Sequence, residues 1–248
     1  MKLAKKVFET ALGEGRTFVL EHEAKDILKS YGIPTPPYAT ATSADEAVKK
    51  SREIGFPVVL KILSKDIMHK SDAGGVKVNL KDEASVRSAY DEIMANARKY
   101  GESKGVTVDL SRGVLVSSFA DAGTEVIVGV TTDPQFGHAI MFGLGGIFVE
   151  VLKDVTFRLI PLSENDAREM IREIKAAKIL DGVRGQPPRD VDALVKTIMG
   201  VSKMVQENPE IRELDCNPLF LYERGKGAVV VDARIIIQGP KPDTASSH

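Results

Sequence analysis

The residues from Val58 to Val76 combine a lysine, a histidine and a pair of glycines. Lys61 lies in an apolar run, Val58-Val-Leu-Lys61, and Gly74-Gly75 follow shortly after it. A lysine is costly to bury in an apolar strand without an anionic partner, and paired glycines let backbone amides approach phosphate oxygens closely. The pattern indicates a phosphate site. The alternative is that Lys61 reaches solvent from a strand edge and that the glycines only form a turn.

His69 lies between this lysine and the glycines. Its neutral imidazole has the chemistry needed to attack a phosphoryl group and form a phosphoramidate, although a lone histidine more often serves as a structural hydrogen-bonding group. The other histidines, His22, His138 and His248, have no such neighbours, and no cysteine–histidine cluster has the spacing of a zinc site. His69 is therefore the candidate nucleophile.

A second candidate site lies in a predicted hairpin near the C-terminus. Asp215 and Asn217 occupy alternate positions of its first strand and share one face. If Tyr222 pairs with Gly227 across the turn, Asn217 lies directly opposite Asp232. Mg²⁺ favours such a set, because it takes one or two protein oxygens and completes its octahedron with water and phosphate. The alternative is the ordinary polar face of an antiparallel sheet.

Two further residues bear on these sites. Pro218 cannot donate to a β-ladder, so we expect its strand to lie at a sheet edge or to be interrupted. Glu125, in Gly123-Thr-Glu-Val-Ile-Val-Gly129, has a carboxylate that can accept hydrogen bonds from a ribose or contact a nucleotide amine. It can equally be an exposed strand residue, and its position alone does not decide.

The overall composition excludes several function classes. The 248 residues include 34 basic and 35 acidic side chains, for a formal net charge of −1, so no basic excess favours nucleic acid or a membrane surface. No apolar run reaches the roughly 18 to 20 residues that span a bilayer. Cys216 is the one cysteine, which excludes an internal disulfide framework and predicts a reducing, cytoplasmic location.

The predicted helices and strands determine where the residues of these candidate sites lie. Helices are expected within the first seventeen residues and at 21–30, 43–54, 81–100, 164–180 and 190–207. Strands are expected at 58–63, 76–80, 113–119, 124–131, 138–142, 148–152, 211–222 and 228–237. This order predicts an α+β fold in two lobes with a hinge near residues 113–120. The expected organisation is a helical segment at 1–20, an N-terminal lobe at 21–112, a C-terminal lobe at 113–240 and a disordered tail at 241–248.

Together these motifs resemble an ATP-grasp domain, a fold in which two lobes with mixed or antiparallel sheets clasp a nucleotide. More closely, the chain resembles the nucleotide-binding β subunit of ADP-forming acetyl-CoA and acyl-CoA synthetases, relatives of succinyl-CoA synthetase. The resemblance extends from about Glu21 to Ile237. It rests on the segments 60–76, Asp133-Pro-Gln-Phe-Gly137, Phe142-Gly-Leu-Gly-Gly-Ile-Phe-Val-Glu150, Phe157-Arg-Leu-Ile-Pro161 and Glu213-Leu-Asp-Cys-Asn-Pro-Leu219.

The resemblance implies a role for each candidate residue in binding ATP or ADP and Mg²⁺. Lys61 would bind nucleotide phosphate, the backbone around Ser117 and Phe119 would hold the adenine, and Glu125 would complete the nucleotide site. Asn217 and Asp232 would hold Mg²⁺. Asp215 matches the acidic residue that steadies a phosphohistidine, and His69 matches a second histidine that relays the phosphoryl group to ADP.

The resemblance also implies a partner. In this family a CoA-binding α subunit carries the first phosphohistidine, and two copies of each subunit assemble, so this chain would be catalytically incomplete alone. The implied reaction converts acyl-CoA, ADP and phosphate into the acid, CoA and ATP. Two alternatives stay open: a self-contained ATP-grasp ligase that passes an acyl phosphate to an amine, and a nucleotide-binding module without turnover.

Overall fold

The structure is a computed structural model, and it describes residues 2–146, 151–183 and 185–239. The chain divides into two compact units. The smaller unit comprises Leu20–His22 and Pro36–Asp121, and the larger one comprises the described residues of 1–19, 23–35 and 122–248. Each unit has its own sheet and its own apolar core. The predicted α+β class is therefore confirmed.

The smaller unit is a four-stranded antiparallel sheet with the order β1-β4-β2-β3. Its strands and helices are β1 (Tyr38–Ala41), α3 (Ala44–Ile54), β2 (Val58–Ile62), β3 (Val76–Leu80), α4 (Glu83–Lys104) and β4 (Val114–Ser118). All five residues of β2 are buried, because this central strand has neighbours on both edges and packs against α4. Ser43 begins α3 by accepting a hydrogen bond from the amide of Glu46.

The larger unit is a six-stranded antiparallel sheet with the order β10-β8-β5-β6-β7, and β9 pairs with β8 beside β10. Its strands are β5 (Thr124–Asp133), β6 (Gly137–Leu144), β7 (Val155–Leu159), β8 (Ile211–Leu221), β9 (Ala228–Val230) and β10 (Ala233–Ile237). Its helices are α1 (Lys2–Gly13), α5 (Glu164–Glu173), α6 (Val191–Glu207) and most of α2 (Glu21–Ser30). One face of the sheet packs on these helices to form the core.

Several elements differ between the prediction and the structure. The helix expected at 164–180 ends at Glu173, and a 3₁₀ turn follows at Ala177–Asp181. The buried carboxylate of Asp154 accepts the amides of Lys175 and Ala176, so those amides are taken out of the helix. The strand expected at 148–152 lies largely outside the described residues, and neither β1 nor β7 was predicted as a strand.

The predicted lobe boundary between residues 112 and 113 is also wrong. Strand β4 pairs with β1 and β2, so it belongs to the smaller unit, and the division falls after Asp121. Helix α1 packs into the core of the larger unit and is not a separate segment. The tail expected at 241–248 lies outside the described residues. Within the described ranges, the structure contains no helix long and apolar enough to cross a membrane.

Candidate functional site

Strand β2 buries Lys61, the first of the two alternatives, and one of its partners is the carboxylate of Glu21. The Lys61 side chain is only 7% exposed, and its Nζ donates to Oε1 of Glu21 at 2.7 Å. Nζ of Lys70 donates to the other carboxylate oxygen, Oε2, also at 2.7 Å. Two lysines of the candidate phosphate site thus share one buried carboxylate.

The glycine pair has a different role from the predicted amide cradle. The amides of Gly74 and Gly75 donate to the carbonyls of Ser71 and Lys70, so they close the loop rather than remain open to phosphate. A Cβ at Gly75 would lie 2.5 Å from Cγ2 of Ile62, and Gly74 has a φ of +60°. The glycines are therefore required by close packing and backbone conformation, and they shape the loop that carries Lys70.

His69 lies on the same loop, directly before Lys70, and its side chain is exposed. Its carbonyl accepts the amide of Ala73 at 3.4 Å, which helps to close the turn. An exposed imidazole beside an ammonium group can be reached by a phosphoryl donor. His69 is thus accessible on the loop that also carries Lys70, and its role as a nucleophile stays a prediction.

The segment expected to hold adenine through its backbone lies at the end of β4. Ser117 is buried and pairs with both neighbouring strands, whereas Phe119 is 38% exposed. The amides of Ser118 and Phe119 donate to the carbonyls of Pro37 and Pro57. Because those two amides are occupied, an adenine-binding role falls to the other groups of this segment, and it stays a prediction.

The register of the C-terminal hairpin agrees with the prediction. The amide of Tyr222 donates to the carbonyl of Gly227, and the amide of Asn217 donates to the carbonyl of Asp232 at 3.1 Å. The same register continues into β10, where Arg234 lies opposite Asp215. A carboxylate, an amide and a guanidinium group therefore occupy neighbouring positions on the face of the sheet that the helices do not cover.

Strand β8 is a central strand, so the expected location of Pro218 at a sheet edge is wrong. The alternative expectation, an interruption, is what the structure has. The pairing between β5 and β8 shifts between Val126–Leu219 and Val128–Cys216, which leaves Asn217 and Pro218 in an irregular stretch. The hairpin strand expected at 228–237 is likewise divided into β9 and β10, with Asp232 between them.

A pocket of about 280 Å³ opens on this face. Its lining includes the polar residues Asp215, Asn217 and Arg234 and the apolar residues Met141 and Phe157. Burial raises the pKa of Asp215, the positive charge of Arg234 opposes that rise, and the negative charge of Asp232 adds to it. The pocket thus contains an acidic and a basic residue that lie opposite each other on neighbouring strands.

Asp190 fixes the turn of this hairpin to helix α6. Its Oδ1 accepts the amide of Ala193 at 3.1 Å and thereby caps the helix, while its Oδ2 accepts the amides of Gly225 and Gly227, each at 2.9 Å. Its own amide donates to the carbonyl of Tyr222. One carboxylate therefore orients the hairpin that carries Asn217 and Asp232.

Glu125 lies near the start of β5 and is exposed. Its carbonyl accepts the amide of Gly145 at 2.8 Å, and a Cβ at Gly145 would lie 2.9 Å from Cβ of Glu125. The Gly143-Leu-Gly-Gly146 segment therefore packs directly against this glutamate. Its contact with a nucleotide stays a prediction.

The pair formed by Asn217 and Asp232 fits Mg²⁺ bound together with phosphate. Among the residues that the structure describes, no three His, Cys, Asp or Glu side chains form a group that could hold a metal ion. Mg²⁺ does not need such a group, because one or two protein oxygens and the oxygens of a phosphate complete its preferred geometry. The structure joins the two residues by the hydrogen bond from the amide of Asn217 to the carbonyl of Asp232, as the predicted register requires, and their binding of Mg²⁺ stays a prediction.

Sequence reasoning missed four residues of these sites: Glu21, Lys70, Asp190 and Arg234. Glu21 follows Leu20 at the start of a polar helix, where an acidic residue is ordinary. The one available signal was the need of Lys61 for an anion. Arg234 could have been found, because the predicted register that pairs Asn217 with Asp232 also places Arg234 opposite Asp215.

Comparison with known proteins identifies the protein family to which this chain belongs. A family model described as the ATP-grasp domain matches residues 10–237. The chain therefore belongs to the ATP-grasp family, which confirms the predicted fold.

Comparison over the whole chain identifies the branch. The β subunit of acetate–CoA ligase [ADP-forming] II from Pyrococcus furiosus is 52% identical over 237 residues, which cover 95% of this chain and 98% of that protein. A crystal structure of a protein from Pyrococcus horikoshii Ot3 has a TM-score of 0.91 at 51% identity, and the match covers 96% of this chain and 99% of that one.

A third relative is the acetyl-coenzyme A synthetase 1 of Ca. Korarchaeum cryptofilum, solved with coenzyme A and Mg-AMPPCP and with its phosphohistidine segment pointing towards the nucleotide binding site. Its TM-score is 0.81 at 47% identity, and the match covers 95% of this chain and all of that one. The predicted resemblance to β subunits of ADP-forming acetyl-CoA synthetases is confirmed.

Proposed function

We propose that this chain is the nucleotide-binding subunit of an ADP-forming acyl-CoA synthetase, an acid–thiol ligase. With its partner it interconverts acyl-CoA, ADP and phosphate with the acid, CoA and ATP. The full-length similarity to a β subunit of acetate–CoA ligase supports acetate as the acid. The observation that carries the proposal is the exposed His69 on the loop that follows the buried Lys61 and carries Lys70, two lysines that both donate to Glu21.

The proposed step at His69 is a phosphoryl relay. A ring nitrogen of the neutral imidazole attacks the phosphorus of the partner's phosphohistidine, so a new N–P bond forms as the old one breaks and the partner's imidazole leaves. An oxygen of the ADP β-phosphate then attacks the same phosphorus, which yields ATP and restores neutral His69. Lys61 and Lys70 offset the negative charge that the phosphates bring together.

In this proposal the other predicted residues bind the nucleotide, the metal ion or the partner's phosphohistidine. Glu125 and the segment around Ser117 and Phe119 contact the nucleoside. Asn217 and Asp232 hold Mg²⁺, which neutralises phosphate charge when bound. Asp215 steadies the partner's phosphohistidine from within the pocket that it shares with Arg234.

The phosphoryl relay can be tested with one substitution. In the complex with its α partner, His69→Ala should abolish ATP formation from acyl-CoA while leaving the Kd for Mg-ADP within about twofold, because the imidazole contributes chemistry rather than binding. The wild-type chain should carry acid-labile, base-stable label from γ-labelled ATP, and the variant should not.

His138→Gln is the matched control. His138 is a strand residue whose Nε2 contacts the carbonyl of Ile211 at 2.7 Å, so this variant should keep both the label and the turnover. Normal turnover by His69→Ala would show that the relay assignment is wrong.

The proposed metal site predicts a change in Mg²⁺ dependence. Asp232→Asn removes one charge but keeps an oxygen ligand, so the Mg²⁺ concentration that half-saturates nucleotide binding should rise several-fold at fixed ADP. Binding of metal-free ADP should be unchanged. An equal loss of affinity with and without Mg²⁺ would exclude Asp232 as a metal ligand.

The partner is a CoA-binding α subunit that carries the first phosphohistidine, in a complex with two copies of each subunit. Its co-purification and the mass of the complex test this assembly. ATP hydrolysis by the isolated chain, stimulated by a small acid and an amine, would instead favour the self-contained ligase. Tight nucleotide binding without turnover, even when the α subunit is present, would favour a binding module.

A further inference from the structure

A row of residues crosses the sheet of the larger unit on the face that the helices do not cover. Residues that pair directly across neighbouring antiparallel strands have their side chains on the same face. The pairs that form the row are Arg234 with Asp215, Asp215 with Gly129, Gly129 with Met141, and Met141 with Phe157. All five residues line the pocket on this face. The row therefore has a charged end on β10 and β8 and an apolar end on β6 and β7.

Gly129 leaves the middle of this row without a side chain. Its φ lies outside the left-handed region, so the backbone conformation does not require glycine here. A Cβ at this position would lie 3.3 Å from Cε of Met141 and 3.5 Å from the carbonyl oxygen of Leu214, so an alanine would need only a small shift of the methionine side chain. The middle of the row is therefore an open groove between the charged end and the apolar end.

The apolar end of the groove continues onto an exposed patch. Phe157 and Leu159 occupy alternate positions of β7, the last strand in the order of the sheet, and each is 51% exposed. Phe157 pairs with Met141 and Leu159 pairs with Ala139, so both side chains lie on the face that carries the groove. Contiguous exposed apolar side chains mark a surface that another molecule covers. Met141, Phe157 and Leu159 are called the apolar patch below.

The charged end of the groove is complementary to a phosphohistidine. Arg234 is exposed, and within residues 2–146, 151–183 and 185–239 no hydrogen bond or ion pair fixes its guanidinium. A guanidinium binds a phosphoryl group through two parallel N–H bonds, and the carboxylate of Asp215 can accept a ring N–H. A phosphohistidine with a protonated ring presents these two groups together, an anionic phosphoryl group and a ring N–H.

We propose that the groove and the apolar patch are the docking surface for the partner's phosphohistidine segment. Arg234 binds the phosphoryl group, and the apolar patch packs against apolar side chains that flank the histidine. This inference rests on the proposed function, because the segment belongs to the α partner. It adds Arg234 and the apolar patch to Asp215, the residue that the resemblance assigned to the phosphohistidine. The continuity of the apolar patch with the charged end favours this occupant over a second copy of the chain.

Phosphoryl transfer within the complete complex tests the role of the apolar patch. The α partner is phosphorylated on its histidine, Mg-ADP is added, and the single-turnover rate of ATP formation is measured. Phe157→Ser and Leu159→Ser should each slow this rate about five- to tenfold, the range for truncation of an apolar interface residue. The Kd for Mg-ADP should stay within about twofold of the wild-type value, because the apolar patch binds the segment and not the nucleotide.

Phosphoramidate separates contact with the phosphoryl group from contact with the peptide. It is a small phosphoryl donor with a P–N bond and no peptide, and transfer of its phosphoryl group to ADP releases ammonia. Arg234→Gln should slow ATP formation from both donors about ten- to hundredfold, the range for a charge-assisted hydrogen bond. Arg234→Lys should recover part of the loss, since it restores the charge but not the paired donors. Phe157→Ser and Leu159→Ser should slow only the transfer from the partner.

Val78→Ser is the matched control for an exposed apolar residue on an outer strand. Val78 is 60% exposed on β3, the last strand in the order of the smaller unit's sheet, so its replacement should slow neither donor. Thermal unfolding of every variant identifies a folding defect. Equal slowing of both donors by Phe157→Ser, or wild-type transfer from the partner, would overturn the role of the apolar patch. Wild-type transfer by Arg234→Gln would overturn the role of Arg234.

The mass of the isolated chain in solution tests the other occupant, a second copy of the chain. We expect the same mass for Phe157→Ser as for the wild type, whereas a wild-type dimer that this variant converts to a monomer would overturn the inference. A wild-type complex that makes no ATP from acyl-CoA, ADP and phosphate would refute the proposed function. An active wild-type complex that all of these variants match would refute this inference alone.

Discussion

Replacement of Asp190 should destabilise the larger unit more than an ordinary helix cap does. Its Oδ1 caps α6 through the amide of Ala193, while Oδ2 binds the amides of Gly225 and Gly227 in the hairpin turn. Both carboxylate oxygens of Asp190 accept hydrogen bonds, and all three partners are backbone amides. Asp190→Ala therefore removes the cap and both bonds to the turn at once.

The magnitude follows from these three bonds. Loss of an N-cap costs about 1 kcal/mol of unfolding free energy, and each lost amide bond costs about 0.5–1 kcal/mol where water replaces it in part. The expected total is about 2–3 kcal/mol, or a fall in Tm of about 5–10 °C for a unit of this size. Asp190→Asn should cost nearly as much, because its Nδ2 would bring a donor against the donors of Gly225 and Gly227.

Thermal or urea unfolding checks this result, with Asp192→Ala as the matched control. Asp192 lies two positions further along, and its exposed carboxylate pairs with Arg168 on the surface, so its loss should cost less than about 0.5 kcal/mol. Asparagine caps a helix about as well as aspartate does, so a residue that acted only as a cap would tolerate Asp190→Asn. An Asp190→Asn variant as stable as the wild type would therefore refute the reasoning. Equal stability of Asp190→Ala and Asp192→Ala would refute it as well.

The same carboxylate gives the stability a defined pH dependence. Burial acts to raise the pKa of Asp190, but the amides of Gly227, Ala193 and Gly225 outweigh it, so the pKa lies below its ordinary value of 3.8. A lowered pKa contributes stability that is present above the unfolded value and is lost as the pH falls through the folded one. Asp190→Asn should therefore reduce the difference in stability between pH 7 and pH 3.

Two further predictions concern packing. Gly75→Ala should cost about 1–3 kcal/mol of unfolding free energy, because the added Cβ meets Ile62, and it should weaken ADP binding by displacing the loop; Gly13→Ala, with open space around it, should leave both measurements unchanged. Cys216 is fully buried, and burial raises its pKa, so iodoacetamide should label it only after unfolding; rapid labelling of the native chain would contradict this packing.

Local sequence patterns predicted the fold class and the hairpin register, since both depend on short-range periodicity. Alternation along β8 and the turn between Tyr222 and Gly227 were enough to pair Asn217 with Asp232. The helix predicted at 164–180 failed for a long-range reason. Asp154 takes the amides that would continue the helix, and no periodicity within the helix reports a distant carboxylate.

The glycine pair shows how a correct location can follow from an incorrect reason. The sequence pattern pointed to Gly74 and Gly75 because glycine amides can bind phosphate, yet these amides close the loop on itself. The glycines are needed because Ile62 and the carbonyl of Lys70 fill the space that a side chain would take at Gly75. A pair of glycines indicates that other atoms approach the backbone closely. Those atoms can belong to packed neighbouring residues as well as to a ligand.

The anion that Lys61 requires could be anticipated, but its identity could not. Burial of an ammonium in an apolar strand demands a negative partner, and that demand follows from the sequence alone. The partner is forty positions away in the chain, at the start of a helix rich in acids, where nothing local distinguishes Glu21 from its neighbours. Its distinction is that its two carboxylate oxygens accept hydrogen bonds from two different lysines, Lys61 and Lys70. The pairing of Glu21 with both lysines is therefore found only when the fold brings these three segments together.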